Sequence, residues 1–360
     1  MTEIFQILFS YLIFSFTIFL PFNILIKDKR FKKFNSNDIC SFNLAININI
    51  LLLLSLLDIS LITIQKYLII LYLILFIIVY HKNLKKFFIN QIQFLPVLVI
   101  FFIISISVAN NLKLGWDAKF FYYIKSLYFY EGNTIASLKE FDAHHYHPHL
   151  GSYLWAFFRN LSFIEYEYFG RLFYVFIFTF SIFYIVPKND NKFLPFFYLL
   201  ITLSIFYNYE LFSGLHEIMI FSYLMIISKY LYNMIVARNF FYLVFIIFYI
   251  NLIFWTKTEG LVYAFIFLIL INLIKKIEIR EKIISSIIIL SLILLKTLIY
   301  QYYEINLNAQ PLYNYDYIIT LNLSLIIEKI RYIIPWLAYY SLSNIFFVTG
   351  LILILYQNFN

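Results

Sequence analysis

Asp117 is the side chain in this sequence with the clearest opportunity for acid–base chemistry. It lies in the segment Gly115-Trp116-Asp117-Ala118, which opens a stretch of helical periodicity that reaches about Tyr130. A carboxylate placed beside an attacking hydroxyl group can accept its proton and so act as a general base. A carboxylate in the first turn of a helix is also stabilised by the helix dipole, so helix capping explains Asp117 equally well.

The histidines are concentrated in one segment. Four of the six lie within six residues, in the run Asp142-Ala143-His144-His145-Tyr146-His147-Pro148-His149. The run lacks the helical His-x-x-x-His spacing of many metal sites, and its proline favours an extended or turn conformation. We therefore predict no metal site and no cofactor, with a divalent ion as the alternative. His147 and His149 are instead candidates for hydrogen bonds to a phosphate or a sugar.

Other polar side chains stand near the ends of apolar segments. They are Arg171, Glu210, His216, Lys257 and Glu259. Ionisable groups at membrane depth are costly and often functional, so all five are candidate substrate-binding residues. For each residue taken alone, an interfacial anchor or a local ion pair is the simpler explanation.

The elements that position these residues are predicted to be membrane helices. Hydrophobic residues make up 63% of the 360 and charged residues 13%, whereas a soluble domain has about 45–50% and 25%. This composition excludes a water-soluble globule, and a single cysteine, Cys40, excludes a disulfide framework. The fold class is therefore an all-α polytopic membrane protein, with one integral-membrane domain over residues 1–360.

About eleven transmembrane helices are expected, because a bilayer core of about 30 Å requires roughly 20 apolar residues in helical form. The predicted spans are residues 4–26, 40–57, 62–80, 94–110, 168–187, 193–209, 217–236, 240–256, 260–274, 283–303 and 333–356. The first is too long for the apolar region of a signal peptide, so we expect no cleavable signal.

Basic residues indicate the orientation of these spans. They are concentrated in alternate connections, at residues 27–33, 82–86, 188–192, 238 and 275–282. Because lysine and arginine accumulate in cytoplasmic loops, these connections are predicted to be cytoplasmic. The net charge of +8 is then an orientation signal, and we do not expect nucleic-acid binding. The active face is then predicted to be extracytoplasmic.

Two extracytoplasmic segments are long enough to carry helices of their own. In residues 111–167, an amphipathic interfacial helix is expected, with Trp116 and Phe120 on one face and Lys125 on the other. A short apolar helix at 152–158 is expected to dip into the membrane against the bundle. The second segment, residues 304–332, is predicted to hold a surface helix.

Three short motifs in this topology resemble those of a known group. They are Gly115-Trp116-Asp117-Ala118, Tyr146-His147-Pro148-His149-Leu150 and Lys257-Thr258-Glu259-Gly260. Over residues 110–275 the chain resembles the GT-C superfamily of integral-membrane glycosyltransferases, especially the bacterial relatives of protein O-mannosyltransferases and of lipid A aminoarabinose transferase.

The resemblance implies transfer of a sugar, with inversion, from a polyprenyl-phosphate donor to a glycan, lipid or protein acceptor. It implies that Asp117 is the general base, since the family requires a carboxylate in its first long extracytoplasmic loop. Lys257, Arg171 and either His147 or His149 would neutralise the phosphate, and Glu259 would orient Lys257 or bind sugar hydroxyls. The prenyl chain would lie between membrane helices. The resemblance also implies a location in the inner (cytoplasmic) membrane of a bacterium.

Two other functions fit the same topology. A transporter or flippase for a lipid-linked saccharide is one, although the chain has only seven glycines and seven prolines to break its helices and shows no evident internal repeat. A glycan polymerase or ligase is the other, with the same donor and a different acceptor. A non-catalytic scaffold is a further alternative.

Overall fold

The computed structural model describes residues 34–81, 94–141, 147–161, 166–186, 197–198, 200–201, 212–237 and 239–305, together with 324, 327–328, 331 and 335. Every regular element in these ranges is a helix. The chain divides into two compact units, Met1–Ile305 and Asn306–Asn360, and the elements below all belong to the first. The boundary falls inside the extracytoplasmic segment predicted at 304–332.

The described α-helices of the first unit are numbered in chain order. They are α1 (Ser36–Ser55), α2 (Leu61–Tyr80), α3 (Leu95–Asn110), α4 (Tyr123–Tyr130), α5 (Leu150–Leu161), α6 (Tyr168–Ile185), α7 (Glu217–Ala237), α8 (Phe241–Thr256), α9 (Gly260–Leu273) and α10 (Ile279–Tyr302). A π-helical turn (Ala118–Tyr122) precedes α4, and a 3-10 helix (Ala136–Glu140) follows it.

Among the described residues, five helices are long and apolar enough to cross a membrane, namely α1, α2, α6, α7 and α10. Three further apolar helices, α3, α8 and α9, are shorter. These eight helices lie where eight of the eleven spans are predicted, and this all-helical architecture is compatible with an α-helical membrane protein. The predicted spans 4–26, 193–209 and 333–356 lie outside the described residues, apart from a few positions.

One end of the helix bundle carries the long connection between α3 and α6. Here α1 finishes at Ser55, whose hydroxyl lies 2.8 Å from Nε2 of His149. Lys257, which follows α8, contacts Glu217 at the start of α7. We call this end the loop end, because the described part of residues 111–161 lies there.

The opposite end is marked by Asp38, near the start of α1. This buried carboxylate accepts hydrogen bonds from Tyr184 near the end of α6 and from Tyr242 near the start of α8. The basic connection between α9 and α10 lies at this end, since Nζ of Lys276 is 3.4 Å from the carbonyl oxygen of Ile235. This connection and the long loop are thus at opposite ends, in the arrangement that the charge pattern predicts. Which membrane face each end occupies stays a prediction.

The short helix α5 is packed into the bundle at the loop end. Its residues from Leu150 to Phe158 are all buried, and at 12 residues it is too short to cross a bilayer. Trp155 in α5 lies directly against Gly170 in α6, where an added Cβ atom would stand 2.1 Å from a ring carbon and 2.4 Å from the carbonyl oxygen of Trp155. The two helices therefore approach closely only because residue 170 has no side chain.

We expect Gly170→Ala to destabilise the protein by about 1–3 kcal/mol, because the added methyl group overpacks the contact between α5 and α6. The loss should appear as a lower unfolding temperature of the detergent-purified protein. Val262→Ile adds one methylene to an exposed position of α9 and serves as the matched control. Equal stability of Gly170→Ala and the wild type would contradict the close approach.

Candidate functional site at the loop end

Two chain segments that are far apart in sequence are tied together at the loop end. The backbone N–H of Gly115 donates to the carbonyl oxygen of Ser213 at 2.9 Å. Nη1 of Arg171 donates to the carbonyl oxygens of Phe212, at 3.1 Å, and of Lys113, at 3.4 Å. The segment that leads into Asp117 is therefore held beside the segment that leads into α7.

Arg171 is a positioning residue in this arrangement. Its side chain is 1% exposed and pairs with Glu167, with Nε 2.8 Å from Oε1 and Nη2 3.0 Å from Oε2. Burial raises the pKa of the Glu167 carboxyl, and the charge and hydrogen bond of Arg171 lower this pKa in part. The sequence prediction made Arg171 a phosphate ligand, but the structure turns its guanidinium towards protein groups instead.

Asp117 immediately precedes the π-helical turn. Its side chain makes no capping hydrogen bond to this turn, so any stabilisation by the helix end comes from the helix dipole alone. The turn is approached by Gly214, whose φ of +89° suits glycine and whose added Cβ would stand 3.1 Å from that of Ala118. This approach brings the chain before α7 next to the carboxylate.

The helix that follows Asp117 shows the two predicted faces in part. Trp116 and Phe120 are exposed, at 68% and 43%, which suits contact with the membrane interface. Lys125 and Ser126, on the polar face, are buried against the bundle. Lys119 is exposed as well, however, and the ring of Tyr123 packs against that of Trp155 with centroids 5.6 Å apart. The predicted separation of a polar and an aromatic face is therefore met only in part.

Asp117 belongs to a group of four charged residues. Nζ of Lys257 lies 2.5 Å from a carboxylate oxygen of Glu217 and 3.5 Å from one of Glu259. Asp117 interacts electrostatically with all three of these residues. The group combines residues from before the π-helical turn, from the start of α7 and from the turn between α8 and α9, and we call it the Lys257 cluster.

The pKa values of two members of the Lys257 cluster, Asp117 and Lys257, are displaced. Burial raises the pKa of Asp117; Lys257 lowers it, and Glu217 and Glu259 raise it, so that the net direction is upward. Burial lowers the pKa of Lys257, but the hydrogen bond and charge of Glu217, together with Glu259 and Asp117, raise it above its ordinary value. Lys257 stays charged, while Asp117 is a stronger base than an ordinary aspartate.

A cavity of about 240 Å³ adjoins the cluster. Lys257, Glu217 and Glu259 form its charged side. Its apolar side comes from α7 and α9, with the lining residues Ile220, Phe221, Leu224 and Tyr263. Asp117 does not line the cavity. It interacts electrostatically with the three charged residues that do.

His216 is buried beside the cluster and directly precedes Glu217. Its ring stacks on that of Tyr122, with centroids 3.7 Å apart, and Gly151 leaves the space that the ring fills. Burial, followed by the charges of Lys257 and Lys125, lowers the pKa of His216. The backbone of Thr256 lies near enough to raise this pKa in part, although neither ring nitrogen has a hydrogen bond of good geometry. His216 is therefore a neutral ring at the base of the site.

His149 lies in a second, more buried group. Its Nε2 is 2.8 Å from the Ser55 hydroxyl, and its Nδ1 is 3.4 Å from the hydroxyl of Tyr300. Burial, with contributions from Lys125 and Lys296, lowers its pKa to about 3. A neutral imidazole bonded on both sides holds the long loop against α1 and α10, so the structure gives His149 a structural place rather than the predicted phosphate contact.

His147 lies closer to the Asp117 segment. Its ring is 5.5 Å from that of Phe121, and its carbonyl oxygen accepts a hydrogen bond of 2.7 Å from Nζ of Lys125. Burial lowers the pKa of this lysine to about 7. Lys125 thus fixes the backbone at residue 147, which the sequence alone did not indicate.

Three of the residues singled out in the sequence cannot be located in the described ranges. Glu210 and the histidines at 144 and 145 lie outside the described residues. Within the described ranges, no group of three His, Cys, Asp or Glu side chains is arranged to hold a metal ion.

Of the predicted site residues, the structure brings Asp117, Lys257, Glu259 and His216 together. The sequence prediction omitted Glu217 and Tyr263 from the site. Glu217 could have been found, because an acidic residue directly after His216 starts a helix at the same end as Lys257. The position of Tyr263 depends on the packing of α9 against α7 and has no sequence signal.

Comparison with known proteins does not place the chain in a family. No family model matches it, and neither a curated protein nor a solved structure does.

We expect the folded protein to lose stability as the pH falls from 7 to 5. The unfolded chain protonates His149 near its ordinary pKa of 6.5, whereas the folded chain keeps it neutral down to about 3. Linkage then predicts a loss of about 2 kcal/mol at pH 5 from this one group.

The measurement is the free energy of unfolding at several pH values for the wild type and His149→Gln. The free energy of unfolding of His149→Gln should fall less steeply with decreasing pH than that of the wild type. Part of the slope should remain, because burial also lowers the pKa of His216. His81→Gln, at an exposed position, is the matched control. An identical pH slope in the wild type and His149→Gln would show that His149 does not titrate as described.

Proposed function

We propose that this protein is a membrane glycosyltransferase of the GT-C type. In this proposal a sugar is transferred, with inversion, from a polyprenyl-phosphate donor to an acceptor hydroxyl at the loop end. The proposal includes the eleven-span topology and an extracytoplasmic loop end in a bacterial inner membrane. The acceptor is a glycan, a lipid or a protein.

One observation carries the proposal: a carboxyl with a raised pKa and a charged lysine belong to one cluster beside a cavity with an apolar side. Transfer from a lipid phosphate requires a base for the acceptor proton, a cation for the leaving phosphate and an apolar surface for the lipid. In the proposal, Asp117 supplies the base and Lys257 supplies the cation. The side chains of α7 and α9 supply the apolar surface.

The chemistry proceeds in a single displacement. The acceptor oxygen attacks the anomeric carbon of the sugar while the bond from that carbon to the phosphate oxygen breaks. The acceptor proton passes to Asp117, and the electron pair of the broken bond stays on the phosphate, whose charge Lys257 stabilises. No covalent enzyme intermediate is needed, so no nucleophilic side chain is assigned.

The lipid is proposed to enter from the side of the bundle. Ile220 and Phe221 are adjacent on one turn of α7, Leu224 lies one turn farther along, and all three line the cavity together with Tyr263 from α9. A prenyl chain on these residues would leave its phosphate at the charged rim. Glu259, 3.5 Å from Lys257, either orients the ammonium group or binds sugar hydroxyls.

We expect Asp117→Asn to lower kcat by at least 100-fold, because removing a general base typically costs a factor of 10² to 10⁴. The assay is release of polyprenyl phosphate and transfer of radiolabelled sugar in proteoliposomes supplied with polyprenyl-phosphate monosaccharides. Glu131→Gln, an exposed carboxylate in the same loop, is the control and should keep wild-type activity. Wild-type turnover by Asp117→Asn would remove Asp117 from catalysis.

The same proteoliposomes distinguish the enzyme from a carrier. An enzyme separates the sugar from the polyprenyl phosphate, whereas a flippase moves the intact lipid-linked sugar between leaflets. Translocation of intact donor without any release of polyprenyl phosphate would overturn the proposed function in favour of transport.

We expect Lys257→Ala to lower kcat/KM by roughly 10- to 100-fold and Lys257→Arg to retain most of it, since a charged hydrogen bond to phosphate contributes about 1.5–3 kcal/mol. Lys139→Ala, an exposed lysine in the long loop, serves as the control. If alanine and arginine at position 257 give equal losses, the contribution of Lys257 is not its charge.

A further inference from the structure

A second and larger cavity, of about 480 Å³, lies at the opposite end of the bundle from the Lys257 cluster. It is bounded by the end of α7, by the residue before α8 and by the connection between α9 and α10. Its apolar lining includes Met234, Ile235, Phe240 and Ile277. We call it the basic-end cavity.

Two lysines and two glutamates, Lys275, Lys276, Glu278 and Glu281, form the polar side of this cavity. Lys275 and Lys276 are both exposed, and Ile277, the next residue, is buried. Nζ of Lys276 is 3.4 Å from the carbonyl oxygen of Ile235, a long contact for a charged donor. Lys275 makes no hydrogen bond or ion pair with any described residue. The cavity therefore offers two ammonium groups above an apolar floor, with two carboxylates in the same lining.

The two carboxylates in the cavity lining accept hydrogen bonds from backbone N–H groups at the start of α10. Glu278 and Glu281 form a reciprocal capping box at the start of α10, in which Glu281 accepts from the backbone N–H of Glu278 at 3.1 Å. Neither forms an ion pair with Lys275 or Lys276 in the part of the chain that the structure describes. Arg280 and Lys282 add further positive charge to this connection, so basic residues outnumber acidic ones.

The surface beside the basic-end cavity is apolar and exposed. Val236 in α7 is 64% exposed, Leu273 in α9 is 70% exposed and Ile279 in α10 is 76% exposed. In a membrane helix, such a surface faces acyl chains. A ligand at this cavity therefore meets positive charge at one end and a hydrocarbon surface at the other.

We propose that the basic-end cavity binds the headgroup of an anionic phospholipid. The phosphate accepts hydrogen bonds from Lys275 and Lys276, and the acyl chains lie along the exposed side chains of α7, α9 and α10. Basic pockets between membrane helices are known to recognise anionic headgroups, whereas a free anion would use only the lysines. The inference depends on a membrane location and not on glycosyl transfer.

The test compares lipids that differ in headgroup charge. Purified full-length protein is titrated in mixed micelles with fluorescent phosphatidylglycerol and, separately, with fluorescent phosphatidylcholine. We expect phosphatidylglycerol to bind at least tenfold more tightly, and Lys275→Gln combined with Lys276→Gln to remove this preference. The matched double variant, Lys66→Gln with Lys139→Gln, removes two exposed lysines elsewhere and should behave as the wild type.

The outcomes separate the possible ligands. Equal binding of the two lipids by the wild type would overturn the proposal, as would an unchanged preference in the Lys275 and Lys276 variant. Displacement of phosphatidylglycerol by millimolar inorganic phosphate would indicate a site for a free anion instead. Because neither lysine is buried, the variant is expected to fold, and its size-exclusion profile and unfolding temperature without added lipid verify this.

Discussion

The ion pair between Arg171 and Glu167 is the interaction on which the loop end depends. A guanidinium that is 1% exposed is tolerated only when its charge and its donors are matched, and here a carboxylate and two backbone carbonyl groups do so. Those carbonyl groups belong to Lys113 and Phe212, which begin the segments leading to Asp117 and to α7. The geometry of the Lys257 cluster therefore follows from a charge pair that does not itself enter the cavity.

Polar contacts also hold the membrane helices together. Asp38 connects α1 with α6 and α8, and farther along the bundle the amide of Asn251 donates to the side-chain oxygen of Asn49 at 2.8 Å. In lipid the hydrophobic effect does not draw apolar helices together, so such hydrogen bonds and close packing take its place. Asn49 and Asn251 thus contribute to helix association.

The positions of the helices were predictable, but the directions of the side chains were not. Length and apolarity locate α1, α2 and α10, because lipid permits no unpaired backbone. They do not reveal that Arg171 and His149 point into protein, since a residue near a helix end can face either the bundle or the rim. Lys257 was predictable as a site residue because it sits in a polar turn between two apolar helices, whereas Tyr263 depends on tertiary packing alone.

Lys257 lies between two carboxylates, so an incoming anion must compete with both of them for its ammonium group. An anion that offers nothing but charge must compete with Glu217 at 2.5 Å and with Glu259 at 3.5 Å, and it meets net negative potential on approach. A ligand that also brings a hydrocarbon chain gains from the adjoining apolar wall and can displace one of these partners. The resting ion pairs would in that way act as a filter, rejecting small soluble anions such as chloride or free phosphate and admitting amphiphiles.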